Sequence, residues 1–358
     1  PDFHTPNNIK DAGRNAIEEN RTRYTLNQGT NELRTAISAK LKRDNNLDYS
    51  LNEIIVSSGA KQSVYNSIFA VVNPGDEVII PAPYWVSYPA MVALAGGKSV
   101  IIHTDESTGF KITADQLEKA VTAKTKVLIL CNPSNPTGSA YKRAELEALA
   151  EVVLKNNFYV LSDEIYEKLV YDDFSFTSFA SLSPDLKKKT ILVNGISKTY
   201  AMTGWRIGYT AAPESVVSAI NKIQSHTTSH ASSISQHAAI EAVAGPQYVI
   251  SEMLDEFRKR REYFFGELTS IKGITCYKPE GAFYLFPNIS LYLHTKSDVL
   301  KIDNSFDFAM HLLYEAHIAV VPGSAFGSEG YLRLSYATSM DHLHEAIFRL
   351  KKALAKIH

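Results

Sequence analysis

Along the first two-thirds of the chain, short apolar runs alternate with segments whose apolar residues recur at helical spacing. Leu33, Ile37 and Leu41 share one face of a helix predicted over Glu32 to Arg43. Basic residues gather late in that segment, where a helix dipole favours them. Ile54–Ser57 reads as a strand closing on Ser57-Ser58-Gly59, and a helix is predicted from Ala60 to about Val72. The turn Asn73-Pro74-Gly75-Asp76 leads into a strand at Glu77–Ile80. Further strands are predicted at Val127–Cys131, Tyr159–Ser162 and Thr190–Val193, with a helix over Arg143–Asn156 between the first two. Short β-rich runs separated by helices argue for an α/β fold with a mostly parallel sheet covered on both faces.

From Pro246 to about Thr269 runs a charged helical segment, and Arg258-Lys259-Arg260-Arg261-Glu262 is expected to be a solvated face. Beyond it a smaller α/β unit is predicted. It has a strand at Ala282–Phe286, a helix at Phe306–Ala316, strands at Ala319–Val321 and Leu332–Tyr336, and a final helix. The 358 residues suit two domains at roughly 150 residues each. Apolar residues make up 45% and charged residues 21%, as in an ordinary globular protein. Lys and Arg number 37 against 38 Asp and Glu, for a net charge of −1. That balance argues against nucleic acid or an anionic membrane as partner. No apolar run approaches the roughly eighteen residues needed to span a bilayer. Two cysteines, Cys131 and Cys276, are too few for a disulfide framework, and a reducing cytoplasm is the expected home. No secretory signal is visible in a sequence that opens at Pro1-Asp2-Phe3.

Ligands of parallel sheets bind where strand C-termini feed into loops, so those loops carry the chemistry to inspect. After Val127–Cys131 comes Asn132-Pro133-Ser134-Asn135-Pro136-Thr137-Gly138, a rigid turn that is either only a turn or a holder for an amide side chain. After the next strand comes Asp163, an acid that is costly to bury unless it meets a cation. It either caps the following helix or holds a ring nitrogen protonated, with Tyr166 one helical turn further on. After Thr190–Val193 comes Lys198 among small and apolar residues, a setting that lowers an amine pKa as Schiff-base chemistry requires. Arg206 adds a planar fork for phosphate or carboxylate. Gly59-Ala60-Lys61 opens a helix whose first amides form an anion site. A phosphate cradle, a ring-nitrogen acid, a phenol and an imine-forming lysine together match the needs of pyridoxal phosphate.

The segment Gly195-Ile-Ser-Lys198-Thr-Tyr-Ala-Met-Thr-Gly-Trp-Arg206-Ile-Gly208 resembles the lysine signature of class I aminotransferases of the aspartate aminotransferase fold type. Tyr24 to Arg34, Pro83 to Tyr88, Asn132 to Gly138, Ser162 to Tyr166 and Arg333 to Ser339 follow in that family's order, and the wording is most similar to bacterial aspartate aminotransferases. The resemblance implies a large domain over residues 10–250, built on a mostly parallel seven-stranded sheet flanked by helices. A smaller α/β domain would comprise 251–358 together with 1–9. Lys198 would hold the cofactor as a Schiff base and move the substrate proton, Asp163 would pair with the ring nitrogen, and Tyr166 and Asn135 would meet the ring oxygen. Trp85 would stack on the ring. Arg206, Ser197 and the amides of Gly59, Ala60 and Lys61 would take the phosphate, with Tyr24 reaching over from a neighbouring subunit of a homodimer. Arg333, with Asn135 and Trp85, would hold the substrate, and Lys61 its distal carboxylate. Pro83 and Pro136 would be cis.

Gly195 stands where many relatives carry a hydroxyl, so one phosphate contact is expected either to be missing or to come from Ser197, and no counterpart of the family's substrate-side N-terminal segment precedes Pro1. The implied reaction moves the amino group of aspartate to 2-oxoglutarate through a pyridoxamine form. An aromatic, prephenate or broad-range aminotransferase is the alternative, and a β-lyase or a catalytically silent domain is disfavoured. His226, His230 and His237 lie close in sequence without an acidic or cysteine partner, so no metal is expected.

Overall fold

A computed structural model describes residues 2–297 and 300–357. In chain order the helices are α1 (Asn7–Glu18), α2 (Asn31–Asn45), α3 (Ala60–Val71), α4 (Ser87–Leu94), α5 (Ala114–Ala120), α6 (Arg143–Lys155), α7 (Pro184–Lys189), α8 (Glu214–Thr227), α9 (Ser233–Ala244), α10 (Tyr248–Thr269), α11 (Ser305–Ala316) and α12 (Met340–Leu354). Seven strands form the main sheet: β1 (Ile54–Ser57), β2 (Glu77–Ala82), β3 (Lys98–His103), β4 (Thr125–Cys131), β5 (Tyr159–Asp163), β6 (Thr190–Gly195) and β7 (Gly208–Ala211). Their order is β1-β7-β6-β5-β4-β2-β3.

Strands β2 to β6 pair in parallel, so β4, β5 and β6 end along one edge, with Asp163 level with Cys131 on one side and Val193 on the other. Strand β7 runs antiparallel to both β6 and β1, and its first residue, Gly208, pairs with Gly195 and with Ser57. Three segments distant in sequence therefore meet at the same edge. Strands β1, β6 and β7 are buried throughout, as expected for a sheet covered by helices on both faces. Helix α2 begins where Thr30 accepts a hydrogen bond from the Leu33 amide and ends at Asn46 in the left-handed region.

A second, antiparallel sheet has the order β11-β12-β8, formed by β8 (Tyr284–Leu285), β11 (Val321–Pro322) and β12 (Leu332–Ser335), with a short β9 (Thr295–Lys296) and β10 (Lys301–Ile302) ribbon nearby. Its core draws on Phe257, Phe264, Phe308, Leu312 and Leu343, and reaches Ile165, Tyr166 and Leu169 of the first sheet's loops. Each such buried side chain contributes about 1.5–3 kcal/mol, so this shared core fixes the two sheets against each other. No helix among the described residues is long and apolar enough to cross a membrane.

The structure corrects several expectations. Arg260 and Arg261 are not solvated: they are 5% and 1% exposed. Arg260 pairs with Asp2 at 2.7 Å, and Arg261 with Asp172 and Glu262 at 2.6 Å, while its guanidinium lies over Tyr171. Partners distant in sequence bury these charges, and a local charge pattern cannot reveal them. Tyr166 does not follow Asp163 on a helix, because residues 165–168 form a turn. The strand expected at Ala319–Val321 lies at Val321–Pro322, and Ala282–Phe286 contains only the short β8.

Candidate active site

The loops at the shared strand edge enclose a cavity of about 290 Å³ with the β12 arginine at its rim. Lys198, Asp163, Tyr166, Asn135, Trp85, Ala60, Lys61, Ser197, Arg206 and Arg333 all line it. Gly59 lies beneath Arg206. Tyr24 does not enter: it is 95% exposed and touches His230 edge-on at 5.6 Å.

Asp163 closes β5 and is 4% exposed. Its Oδ2 accepts a 2.7 Å hydrogen bond from Tyr88 Oη. Burial pushes its pKa up to about 6, while the Tyr88 bond, the Ile165 amide and Lys198 hold it back. Lys198 follows β6. Burial lowers its amine pKa, the positive charges of Arg333 and Arg206 lower it further, and Asp163 acts in the opposite sense. Its Nζ lies 5.6 Å from the centre of the Phe283 ring. An amine with a depressed pKa is a nucleophile toward a carbonyl and a base toward a C–H.

Arg333 projects from β12. Its Nη1 donates to Asn135 Oδ1 at 3.0 Å, and its guanidinium packs over Tyr284 at 4.7 Å and Phe326 at 5.1 Å. Stacked and tethered in this way, the fork is pre-set for a carboxylate. Tyr166 Oη and Tyr284 Oη share a 2.9 Å hydrogen bond, so the phenol expected to meet a ring oxygen has a protein partner in this structure. Lys61 Nζ stands 5.1 Å over the Trp85 ring, and Trp85 meets Tyr88 edge-on at 5.2 Å.

A recess lies where β1 and β7 meet. Gly59 caps α3 with φ +91°, and a Cβ there would sit 2.2 Å from Arg206 Nη2. At Gly208 a Cβ would come within 2.2 Å of the Ala60 nitrogen. Side chains are thus excluded where the first-turn amides of α3 face a guanidinium, and this recess fits a phosphate. Gly195 has its own reason: a Cβ there would lie 2.9 Å from the Ile207 carbonyl across β6 and β7. A side chain at 195 would force the backbone there to shift, and Ser197 is a hydroxyl residue at the cavity wall. Peptide bonds 82–83 and 135–136 are cis, as is 132–133.

Tyr88 and Tyr284 were not among the candidates read from the sequence. Tyr88 lies in the segment beginning at Pro83, three positions past Trp85, and Tyr284 in a strand read only as apolar. No local signal aims either hydroxyl at the cavity. Among the described residues, no three His, Cys, Asp or Glu side chains are disposed to hold a metal ion.

Residues 1–350 match the family model described as aminotransferase class I and II. The chain belongs to the class I and II aminotransferases. A similar protein is the aspartate/prephenate aminotransferase of Cereibacter sphaeroides, 49% identical over 98% of this chain and 89% of that one. Among solved structures, the aspartate aminotransferase of Rhizobium meliloti superposes with a TM-score of 0.97 at 46% identity, covering 100% of this aminotransferase and 90% of that chain. The aromatic aminotransferase of Pyrococcus horikoshii gives 0.94 at 40% identity, covering 99% and 94%.

Proposed function

We propose that this aminotransferase moves the amino group of L-aspartate to 2-oxoglutarate with pyridoxal phosphate as cofactor, and that it also accepts prephenate. The observation that carries the reading is a desolvated Lys198 amine sharing one cavity with a buried Asp163 carboxylate and a tethered Arg333 fork. When bound, the cofactor supplies an aldehyde and an electron-withdrawing ring. The α3 amides and Arg206 would hold its phosphate, Trp85 would lie beside its ring, and Asp163 would keep a proton on the ring nitrogen, with Tyr88 fixing the carboxylate. Arg333 would grip the substrate α-carboxylate in the same cavity that Lys198 lines, leaving the amine within reach of the Cα–H. Lys198 Nζ takes that proton and later returns one. Tyr166 and Asn135 hydrogen-bond at the ring-oxygen side.

Lys61 decides the substrate class. A charge-assisted contact to a distal carboxylate contributes about 1.5–3 kcal/mol, roughly 10- to 150-fold in favour of dicarboxylates. Prephenate, aspartate and 2-oxoglutarate all carry two carboxylates, and relatives are named for both aspartate and prephenate. A donor and acceptor panel tests this. Lys61→Ala is expected to lose 10- to 150-fold in kcat/KM for aspartate and little for alanine or phenylalanine; equal losses for all donors remove the distal role.

We further infer a homodimer in which the exposed Tyr24 reaches the partner's phosphate, supported by apolar Ile17 and Leu26, which are 56% and 55% exposed nearby in sequence. Mixed dimers of Tyr24→Phe and Lys198→Ala subunits, with one intact shared site, test that assignment. Two free cysteines suit a reducing cytoplasm. The division into residues 10–250 and 251–358 with 1–9 is supported by a core drawn mainly from residues 253–354, against which Phe3 packs, while Ile9 packs with the core of the main sheet.

A further inference from the structure

The loop between Lys198 and Arg206 is tied at one point to a segment from the start of the chain. Thr5 Oγ1 donates to the Ala201 carbonyl at 2.8 Å and accepts from the Trp205 indole nitrogen at 3.1 Å. One hydroxyl therefore bridges the loop. The Trp205 ring also rests on α1, where a Cβ at Gly13 would come within 2.7 Å of it. Both ends of the bridged stretch hold unfavourable backbone conformations, with φ +51° at Ala201 and +58° at Arg206. Such conformations persist in non-glycine residues where surrounding contacts over-determine them.

Arg206 itself has little local restraint. Its side chain is exposed, and its guanidinium bonds are to the Thr203 carbonyl at 2.9 Å and the Ser58 carbonyl at 3.4 Å. Where the guanidinium stands thus depends on how the backbone at 201–206 is held. Thr5 is in turn anchored. Asp2 pairs with Arg260 of α10 at 2.7 Å, and Phe3 meets Phe257 edge-on at 5.1 Å under the Arg260 guanidinium.

We propose that Thr5 is a positioning residue for the anion-binding arm. Its two hydrogen bonds hold the Ala201–Trp205 stretch so that Arg206 faces the α3 amides, and retention of the cofactor phosphate depends on them. This rests on the reading of the cavity as a pyridoxal phosphate site. The experiment measures the rate at which the holoenzyme releases pyridoxal phosphate, followed by loss of its visible absorbance under dilution, and its displacement by inorganic phosphate. Thr5→Val keeps the side-chain shape and removes both hydrogen bonds; Thr5→Ser keeps the hydroxyl. Release is expected to be about tenfold faster in Thr5→Val, with displacement at lower phosphate concentration, and within about twofold of wild type in Thr5→Ser.

Unchanged release in Thr5→Val, with or without a lowered melting temperature, overturns the proposal, as does equal acceleration in both variants. Should Thr5→Val fail to fold, Thr5→Ala, which also removes both hydrogen bonds, takes its place; unchanged release then counts against the proposal and faster release for it. If the wild-type protein binds no pyridoxal phosphate, the cofactor reading itself fails, a result distinct from any of these.

Discussion

Two buried pairs of opposite charge lie beside the same turn and are treated differently. Glu167, four residues after Asp163, forms an ion pair with Lys40 of α2. Asn45 completes it, donating to Glu167 Oε2 at 2.9 Å and accepting from Lys40 at 3.0 Å. Nearby, Asp44 gathers Arg43 at 2.8 Å and Lys168 at 3.1 Å. In the cavity, by contrast, neither Lys198 nor Asp163 joins an ion pair among the described residues. Burial instead drives each toward neutrality, the acid up and the amine down. A buried charge whose hydrogen-bonding capacity is filled is scaffold, and one left short of partners holds reactivity in reserve. Glu164 lies between the two cases, buried with Ser162 and Ser178 on one carboxylate oxygen and its pKa pushed up to about 8, mainly by desolvation.

Exchanging the damage between the two pairs tests the contrast. Lys198→Ala should lower turnover on the order of 10⁴-fold or more while leaving the melting temperature at or above wild type. A large loss of stability would place this lysine with the scaffold. Lys40→Met should behave the other way. It strands Glu167 as an unpaired buried charge, and denaturant titration should show a loss of about 3–5 kcal/mol. Lys40→Met combined with Glu167→Leu should recover most of that.

Asp163→Asn gives a smaller effect whose sign is diagnostic. The folded pKa of about 6 lies above the reference value of 3.8, so the folded protein binds this proton more tightly than the unfolded chain. Protein prepared without cofactor should therefore lose stability as the pH rises from 3.8 to about 6, and carry a penalty of about 3 kcal/mol above that. Asp163→Asn should be more stable than wild type at pH 7 by about this amount, with the gap closing below pH 4, while transamination falls about 10²–10³-fold. A gap that does not vary with pH would refute the burial argument. Tyr88→Phe makes the finest test. It removes a hydrogen bond that favours the carboxylate, so the stability loss should still begin near pH 3.8 but end at higher pH, deepening it by about 1 kcal/mol.

Much of this architecture was legible in the chain. The alternation of apolar runs with helical spacing locates β1, β2, β4, β5 and β6 to within a few residues, and the loops after them hold Asn135, Asp163, Lys198 and the Gly59 turn. Strand β7, Gly-Tyr-Thr-Ala, escaped because it has no apolar run; it is a strand only because Gly195 and Ser57 lie on either side of it. Arg260 and Arg261 escaped because their partners, Asp2 and Asp172, are far away in sequence. Tyr88 and Tyr284 escaped because hydroxyl direction is set by packing. At these positions the sequence hid a pairing between distant segments, whereas β3 carries an apolar run, Val100-Ile101-Ile102, beside its neighbour β2 and was open to reading.

The position of β7 has a consequence for synthesis. Strand β1 stands at the border of the main sheet, and β7 is its one neighbour there. A nascent chain that has not yet emerged past Ala211 carries Ile54-Ile55-Val56 as an open template for association with other chains, a hazard until the ribosome has delivered the missing partner. When β7 pairs with β1 it fills that strand's inner edge, while the Gln28 carbonyl accepts from the Val56 amide on the outer one, and the same pairing sets Arg206 beside Gly59. Pairing of the β1 backbone and assembly of the recess at Gly59 are thus one event.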